Sequence, residues 1–347
     1  MANKTKSILS ASRIKTLDSC SWKYWGTYHL GLPRSKNPGS SRGTVCHTVL
    51  EVLLNPRHRK HIKKITKHDT IKAVPSVYRL TEKNLKKEGY LSDENLQMCD
   101  EMILVALNCD FLGGRGAKIT EPEKEFLLDN SSPSYKVLGY MDKPEVYKNG
   151  KKLVIVDYKT SKSKFTKSEI DYNIQALVYL LAAKEIWPEV KECSIKFQFL
   201  RFPEDPDIIV TAQDEELQGF EYFLEHVFKL INNYDEHKAK SNFAAHQPFP
   251  KKEEGFKGPL NCGFAKYPGQ LKKDGTPMWH CEHKFAFDYY ACIDEKGKQI
   301  ASSKNKDDVI NLNGKIVKKH YAGCPAHPQE STESKPEKPE FKDDFDF

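Results

Sequence analysis

Two opposite charges separated by one residue follow an apolar run in VIVDYKTSK, residues 154–162. The apolar residues favour a buried strand, in which Asp157 and Lys159 would project from the same face. A carboxylate can bind Mg²⁺ or Mn²⁺, and a lysine beside it can orient a water molecule or stabilise a developing negative charge. This combination suits metal-assisted phosphodiester hydrolysis. Taken alone, the same tripeptide is more often an exposed strand end with a salt bridge.

A hairpin predicted just upstream brings a second carboxylate to this point. The Asn-Gly pair at 149–150 lies between two strand-like runs, and both residues tolerate the positive φ of a two-residue type I′ turn. A turn centred there pairs Asp142 with Asp157, unless Pro144 forms a bulge that shifts the register by one residue. Like charges about 5 Å apart destabilise a strand pair, so we expect Lys159 and a divalent cation to lie between them.

Two predicted helices supply further polar side chains. In GTVCHTVLEVLL, which starts at Gly43, His47 and Glu51 lie one turn apart on one face, and imidazole is a common ligand of transition-metal ions. In YNIQALVYLLAAK, Gln175 and Tyr179 have the same spacing and could position a phosphate or stack on a base. Alone, such residues more often belong to a core or to the polar edge of an amphipathic helix.

Four short motifs occur in a defined order along the chain: G-x-x-x-H at 43–47, G-x-x-D at 139–142, D-Y-K-T at 157–160 and Q-x-x-x-Y at 175–179. In this order they resemble the RecB-type nuclease domain of the PD-(D/E)XK superfamily. The resemblance spans about two-fifths of the chain. It implies a restriction-endonuclease-like α/β fold, in which a mixed β-sheet core is flanked by helices.

The resemblance also implies roles for individual residues. With Mg²⁺ or Mn²⁺ as the cofactor, it assigns metal binding to His47, Asp142, Asp157 and the backbone carbonyl of Tyr158. It assigns catalysis to Lys159 with Asp142 and Asp157, and substrate binding to Gln175 and Tyr179. One departure is that Asp157 stands where many relatives have Glu.

The function expected from this resemblance is that of a metal-dependent DNA nuclease, an exonuclease of recombination, replication or repair. No G-x-x-x-x-G-K-[ST] motif is present, so any unwinding of DNA would come from a partner helicase. The alternative is a catalytically inactive nucleic-acid-binding or scaffold protein with the same fold.

Nine cysteines are scattered along the chain without a secretory signal, which argues against a disulfide framework. AddB-like enzymes and CRISPR-associated nucleases carry an iron–sulfur cluster ligated by one cysteine before the nuclease motifs and three after them. The resemblance therefore implies a [4Fe-4S] cluster on Cys20, Cys262, Cys281 and Cys292, with Cys324 as a substitute ligand. Zinc, with His280 or His283 as a nitrogen ligand, and ordinary reduced thiols are the alternatives.

Charge and composition limit the classes to which this protein can belong. The 347 residues are 38% hydrophobic, enough for a sizeable core, and contain no apolar run long enough to cross a membrane. The formal net charge of +7 combines −4 over residues 330–347 with +11 over the rest. A basic body with an acidic tail favours an anionic partner such as DNA, although solubility explains the charge equally well. We expect a cytoplasmic protein without a membrane partner.

Four segments are predicted. Residues 1–42 form an N-terminal helix and loop, and residues 43–240 form the nuclease core with a helical insertion at about 70–111. Residues 241–324 form a cysteine-containing region that packs back on the core. The polar, acidic residues 325–347 are predicted to be disordered. Their end, KDDFDF, resembles tails through which single-stranded DNA-binding proteins recruit partners, although a solvated terminus is the more common explanation.

Overall fold

A computed structural model of the chain describes residues 7–247, 262–310 and 313–327, and its largest sheet has five strands. The strand order is β1-β4-β5-β6-β7, and only the pairing of β5 with β6 is parallel. A separate antiparallel hairpin is formed by β2 and β3. The bounds of these strands are β1 Lys118–Ile119, β2 Lys124–Ser131, β3 Ser134–Met141, β4 Lys143–Tyr147, β5 Lys152–Lys159, β6 Glu192–Phe199 and β7 Asp207–Val210.

The described residues divide into two units. The first consists of the residues up to Asp18 together with Ser35–Tyr234, and the second consists of Ser19–Arg34 and the described residues from Asp235 onward. The helices are α1 Ala11–Ser19, α2 Ser21–Tyr28, α3 Pro38–Leu54, α4 Arg59–His68, α5 Pro75–Glu88, α6 Asp93–Asn108, α7 Lys167–Asp171, α8 Ile174–Ile186, α9 Asp214–Asn232 and α10 Glu236–Ala239.

Strand β5 is central because both of its faces are covered. Val156 and Tyr158 belong to a buried cluster shared with helices α3 to α6, so one face of the strand packs on this helical layer. The alternate residues, Ile155 and Asp157, face the other way, where α8 packs against β6. A sheet covered by helices on both faces confirms the predicted α/β class.

The register predicted for the β4–β5 hairpin is confirmed. Lys143 pairs with Val156 and Pro144 with Ile155, so Pro144 causes no shift. Asp142 lies one residue before β4, at the position that this register places opposite Asp157. The predicted turn type is wrong. The connection is a turn of 3-10 helix over Lys148–Gly150, in which Lys148 and Gly150 have positive φ.

Helix boundaries differ from the predicted ones in two places. Helix α3 begins at Pro38, inside the segment predicted as a loop, because the Asn37 side chain accepts the backbone N–H of Ser40 and caps the helix. The single N-terminal helix predicted within residues 1–42 is in fact two helices, α1 and α2, since the backbone at Cys20 is extended, with φ of −170°. The helical region at 70–111 is present, and Gly89, with φ of +82°, ends α5 before α6 begins.

The second unit contains α2, α10 and a three-stranded antiparallel sheet of order β10-β8-β9. Its strands are β8 Phe287–Ile293, β9 Gln299–Ser303 and β10 Lys315–Tyr321. Most of the predicted acidic tail, from residue 328, lies outside the described residues. In the described part of the chain, no helix is both long and apolar enough to span a bilayer.

Candidate active site

The end of β5 holds Asp157 and Lys159 on one face, as their spacing predicts. The Nζ atom of Lys159 lies 2.5 Å from Oδ2 of Asp157 and donates a hydrogen bond to Oε1 of Gln175 at 2.9 Å. The amide nitrogen of Gln175 donates to Oδ1 of Asp157 at 2.7 Å and to the hydroxyl of Tyr179 at 2.8 Å. The first turns of α8 therefore hold both members of the charged pair in position.

Asp142 and His47 approach the same strand end from the other direction. Oδ2 of Asp142 accepts the backbone N–H of Tyr158 at 2.8 Å and lies 3.3 Å from Nδ1 of His47. The other ring nitrogen of His47, Nε2, lies 3.0 Å from the carbonyl oxygen of Tyr158. All the residues predicted for the metal and the catalytic lysine thus meet at one end of the sheet.

A further carboxylate, Glu123, was missed by the sequence reasoning. Ligand atoms of His47, Glu123 and Asp142 lie within 4.8 Å of one another. The backbone N–H of Glu123 donates to the carbonyl of Asp142 at 3.0 Å, which extends the β2–β3 register by one pair. A hairpin centred on the Ser-Pro turn at 132–133 would have predicted this pairing. Glu51, which shares a helix face with His47, instead lines a separate cavity with Arg59 and Thr120.

The crowding of carboxylates shifts several pKa values. Burial alone would lower the pKa of His47, but the negative charges of Asp142, Asp157 and Glu123 raise it to about 9. Burial, reinforced by Asp142, raises the pKa of Glu123 to about 7. Burial also raises the pKa of Asp157, although Lys159 opposes the shift. The site therefore has more negative charge than His47 and Lys159 compensate.

Two glycines of the sequence motifs are explained by close packing around the site. An added Cβ at Gly43, on α3, would lie 2.9 Å from the hydroxyl oxygen of Thr160. At Gly139, on β3, it would lie 2.3 Å from the ring of Phe126, which packs edge-on against Tyr179. Larger residues would displace the helix that carries His47 or the ring that supports Tyr179.

A cavity of about 590 Å³ opens over this strand end. Besides the acidic residues, its lining includes the first turn of α3 and the cations Arg42, Lys159, Lys162 and Arg201. Arg42 is only 8% exposed, donates to Asn95, and has no carboxylate within ion-pair distance among the described residues. One cavity therefore joins an acidic centre to a cationic wall.

Four cysteines line a different, small cavity in the second unit: Cys20, Cys262, Cys281 and Cys324. The predicted fourth ligand, Cys292, is not among them. It is fully buried within β8, where it pairs with Ile316 on β10 and Ala301 on β9, so its backbone is held between two neighbouring strands. Cys324, which was predicted as a substitute ligand and follows β10, lines the cavity instead.

The cysteine cavity is apolar enough to disfavour free thiolates. Burial raises the pKa of Cys262 to about 11 and that of Cys324 to about 12, and it also raises the pKa of Cys281. His283 lines the same cavity, is 1% exposed, and makes no hydrogen bond through either ring nitrogen within the described residues. Burial lowers the pKa of His283 to about 4, so its ring is neutral at pH 7.

Comparisons with known proteins identify the family of the chain. A family model described as the PD-(D/E)XK nuclease superfamily matches residues 8–251, more than two-thirds of the chain. Among solved structures, the chain is similar to the crystal structure of a "Putative exonuclease" from Eubacterium rectale, with 14% identity and a TM-score of 0.42. That similarity covers 66% of this chain and 82% of the other. A search of curated proteins found no match.

Proposed function

The chain belongs to the PD-(D/E)XK nuclease superfamily, and we propose that it is a DNA exonuclease that depends on Mg²⁺ or Mn²⁺. The observation that carries the proposal is the convergence of His47, Asp142, Asp157 and Lys159 in one open cavity at the end of β5, with the Glu123 carboxylate close to His47 and Asp142. An excess of negative charge of this kind destabilises the folded protein unless a cation binds, and it is typical of a catalytic metal site.

The donor set suits a hard divalent ion. We propose that His47, Asp142, Asp157 and the carbonyl of Tyr158 hold the metal, with Glu123 as an additional carboxylate. Oxygen ligands with a single imidazole match Mg²⁺ or Mn²⁺. When bound, the ion would lower the pKa of a water molecule and neutralise charge that develops on the phosphate. His47 must release a proton to bind it, because its pKa is about 9 in the metal-free protein.

The remaining polar residues position the reactants. Lys159 is held by Asp157 and Gln175 and is proposed to orient the attacking water and to stabilise the developing charge. Tyr179 donates to the carbonyl of Tyr140 at 2.6 Å and also contacts Gln175, so it braces the amide that holds Lys159. This positioning role differs from the direct phosphate or base contact that the resemblance implies for Gln175 and Tyr179, and the cleavage kinetics of Tyr179→Phe would separate the two roles.

The cationic wall is proposed to bind the DNA backbone. Arg42 and Arg201 line the same cavity as the acidic residues, and neither forms an ion pair in the described part of the chain. A guanidinium can bind two phosphate oxygens at once, and in the described part of the chain the Arg42 guanidinium donates to the neutral side chain of Asn95. We therefore propose that Arg42 and Arg201 take the phosphates that flank the scissile one.

For the second metal site, we propose a [4Fe-4S] cluster on Cys20, Cys262, Cys281 and Cys324. Its thiolates would join segments that are distant in sequence. Four thiols line this one cavity, and four cysteine thiolates are the usual ligand set of such a cluster.

Metal analysis tests the cluster separately from activity. Protein purified without oxygen should be brown and contain iron and acid-labile sulfide. Cys324→Ser should lose the iron, whereas Cys292→Ser, a matched change in a buried cysteine outside the cavity, should keep it. Stoichiometric zinc in colourless protein would instead assign zinc, and retention of iron by Cys324→Ser would reject this ligand set.

Cleavage assays test the nuclease proposal. Single- and double-stranded DNA, labelled at the 5′ or the 3′ end, is incubated with Mg²⁺, with Mn²⁺ and with EDTA. Linear DNA should yield short products only with metal, and circular DNA should resist. Asp157→Asn should abolish cleavage, whereas Asp129→Asn, in the exposed Asp129–Lys136 pair on the β2–β3 hairpin, should not. Metal-independent products, or full activity of Asp157→Asn, would reject the proposal.

The expected partners follow from this activity. We propose that the protein acts in recombination, replication or repair on ends or single strands supplied by a helicase or a single-stranded DNA-binding protein. The acidic tail is the proposed contact, and its described part ends at His327. Deletion of residues 328–347 should weaken binding to such a partner without changing cleavage of naked DNA.

A further inference from the structure

A hairpin connects two of the cavity cysteines in the second unit. Residues 262–281 leave Cys262 and return to Cys281, whose N–H donates to the carbonyl of Cys262 at 3.0 Å. At this base, Gly263 has φ of +72°, and an added Cβ would lie 2.3 Å from the carbonyl oxygen of Trp279. The two arms therefore approach so closely that only glycine fits, and they hold the hairpin in a defined shape.

Large apolar side chains on this hairpin face solvent. Tyr267 is 59% exposed, Leu271 is 56% exposed and Trp279 is 57% exposed. The indole of Trp279 is nevertheless fixed on one side, since an added Cβ at Gly263 would lie 2.8 Å from its Cε3 atom. A tryptophan that is held in place but left half uncovered presents a ready surface for another flat ring.

The same hairpin is positively charged. Lys266, Lys272 and Lys273 are exposed, and none of them forms an ion pair within the described residues. The one carboxylate in residues 262–281, Asp274, accepts hydrogen bonds from the N–H and hydroxyl of Thr276 at 2.9 and 2.6 Å. Asp274 therefore stabilises the turn of the hairpin, and the three lysines remain available for an anionic partner.

We propose that the 262–281 hairpin is a binding surface for single-stranded DNA, separate from the metal site. Bases would stack on Tyr267 and Trp279, while the lysines contact phosphates. Duplex DNA fits less well because its bases are already stacked and paired. A purely apolar protein partner would leave the lysines unpaired, so the charge favours a polyanion. The choice of DNA over RNA rests on the proposed function, whereas the stacking and charge arguments do not.

Binding without cleavage tests this surface. The full-length protein in EDTA is titrated with fluorescein-labelled oligothymidine of about 16 nucleotides. Trp279→Ala and Tyr267→Ala should each raise Kd about tenfold, and Trp279→Phe should restore most of the affinity. Tyr222→Ala, which removes an equally exposed ring on α9, should leave Kd unchanged.

Salt dependence tests the lysines. Lys272→Gln/Lys273→Gln should reduce the slope of log Kd against log salt by about 1.4, the value for two phosphate contacts of a single strand. The control is Lys296→Gln/Lys298→Gln, which removes two exposed charges from the β8–β9 turn of the same unit. Its slope should match that of the parent protein.

Clear outcomes would overturn the inference. Unchanged affinity of Trp279→Ala and Tyr267→Ala at matched salt would reject it, as would equal competition by duplex DNA. If those variants lose a protein partner but keep DNA binding, the hairpin is a protein-docking surface. Because binding is measured in EDTA, ring-dependent binding without metal-dependent cleavage would reject only the nuclease proposal. Cleavage without ring-dependent binding would reject only this inference.

Discussion

Two lysine–carboxylate pairs on neighbouring strands have the same spacing and different surroundings. On β5, Asp157 and Lys159 lie 2.5 Å apart, and on β4, Lys143 and Glu145 lie 2.7 Å apart. In the β4 pair both side chains are 2% exposed, and the second oxygen of Glu145 accepts the hydroxyl of Tyr147. In the β5 pair, Lys159 is 22% exposed and lines the open cavity.

The difference shows that spacing alone does not make a catalytic pair. Lys143 also donates to the carbonyl of Phe111, so its pair is balanced in charge and satisfied in hydrogen bonding. Around the β5 pair, Asp142 and Glu123 add negative charge that the pair does not neutralise. A balanced buried pair supports the fold, whereas an unbalanced pair beside a cavity has a place for a cation.

Removing one lysine from each pair tests whether the two pairs differ in function. Lys159→Ala should lower the cleavage rate by about 10³-fold or more, because the ammonium is proposed to act in the transition state. Lys143→Ala should not lower the rate of the fraction that remains folded. Single-turnover rates at saturating metal, normalised to folded protein, measure both. Comparable losses of rate in the two variants would show that the pairs do not differ in function.

The β4 pair should matter more for stability than for cleavage. Lys143→Met leaves the Glu145 charge buried without its partner and should reduce the free energy of unfolding by about 3–5 kcal/mol. Lys143→Met/Glu145→Leu should recover much of this loss, since neither charge remains. Urea denaturation followed by circular dichroism gives both values. A double variant less stable than the single one would mean that the pair stabilises the fold by its net attraction.

The charge excess around the β5 pair should make the metal-free protein less stable as pH rises. The folded-state pKa of Glu123 is about 7 against an ordinary 4.5, so its stability contribution becomes unfavourable between these values. The pKa of His47 is raised from 6.5 to about 9, so the stability that its protonation supplies is lost as pH rises through 9. Both groups shift stability in the same direction.

Thermal unfolding in EDTA at pH 5, 7 and 9 checks this prediction. The Tm should fall with pH, and Mn²⁺ should raise it more at pH 8 than at pH 6, because the ion replaces the missing positive charge. Subtracting the profile of Glu123→Gln isolates the contribution of Glu123 from other titrating groups. An identical pH slope in Glu123→Gln and the parent protein would contradict the prediction.

The pairing of β4 with β5 was predictable, and so was the placement of Asp157 and Lys159 on one face of β5, because local signals agreed. The Asn-Gly pair marked the turn, and alternation along β5 set which residues share a face. Glu123 was harder to predict, because it lies in an irregular turn with φ of +50°, and only the register of a second hairpin connects it to Asp142. Its convergence with His47 depends on tertiary packing of α3, which no local pattern encodes.

The cysteines illustrate a signal that was present but not used. FDYYACI around Cys292 is rich in aromatic residues and forms β8, and a cysteine in a strand paired on both sides is held by its ladder partners. Cys324 lies outside a strand in a Gly-Cys-Pro sequence, where its side chain can turn toward the cavity. The charge balance of Lys143 and Glu145 was not predictable, because it depends on Tyr147 and Phe111 being brought to the same place.

Removing one hydroxyl beside each pair gives the smallest and most closely matched test. Tyr179→Phe removes contacts to Gln175 and to the carbonyl of Tyr140, and Tyr147→Phe removes the hydrogen bond to Glu145. Each change should reduce the free energy of unfolding by about 1–2 kcal/mol, since each leaves a polar partner unsatisfied.

Their effects on cleavage should diverge. Tyr179→Phe loosens the amide that holds Lys159 and should lower the single-turnover rate about tenfold, whereas Tyr147→Phe should leave that rate unchanged. Rates with substrate in excess of Kd separate this positioning effect from weaker DNA binding. If Tyr179→Phe raised Kd and left the single-turnover rate unchanged, the hydroxyl would contact the substrate directly, as the resemblance implies. Gln175 would then hold Lys159 without help from Tyr179.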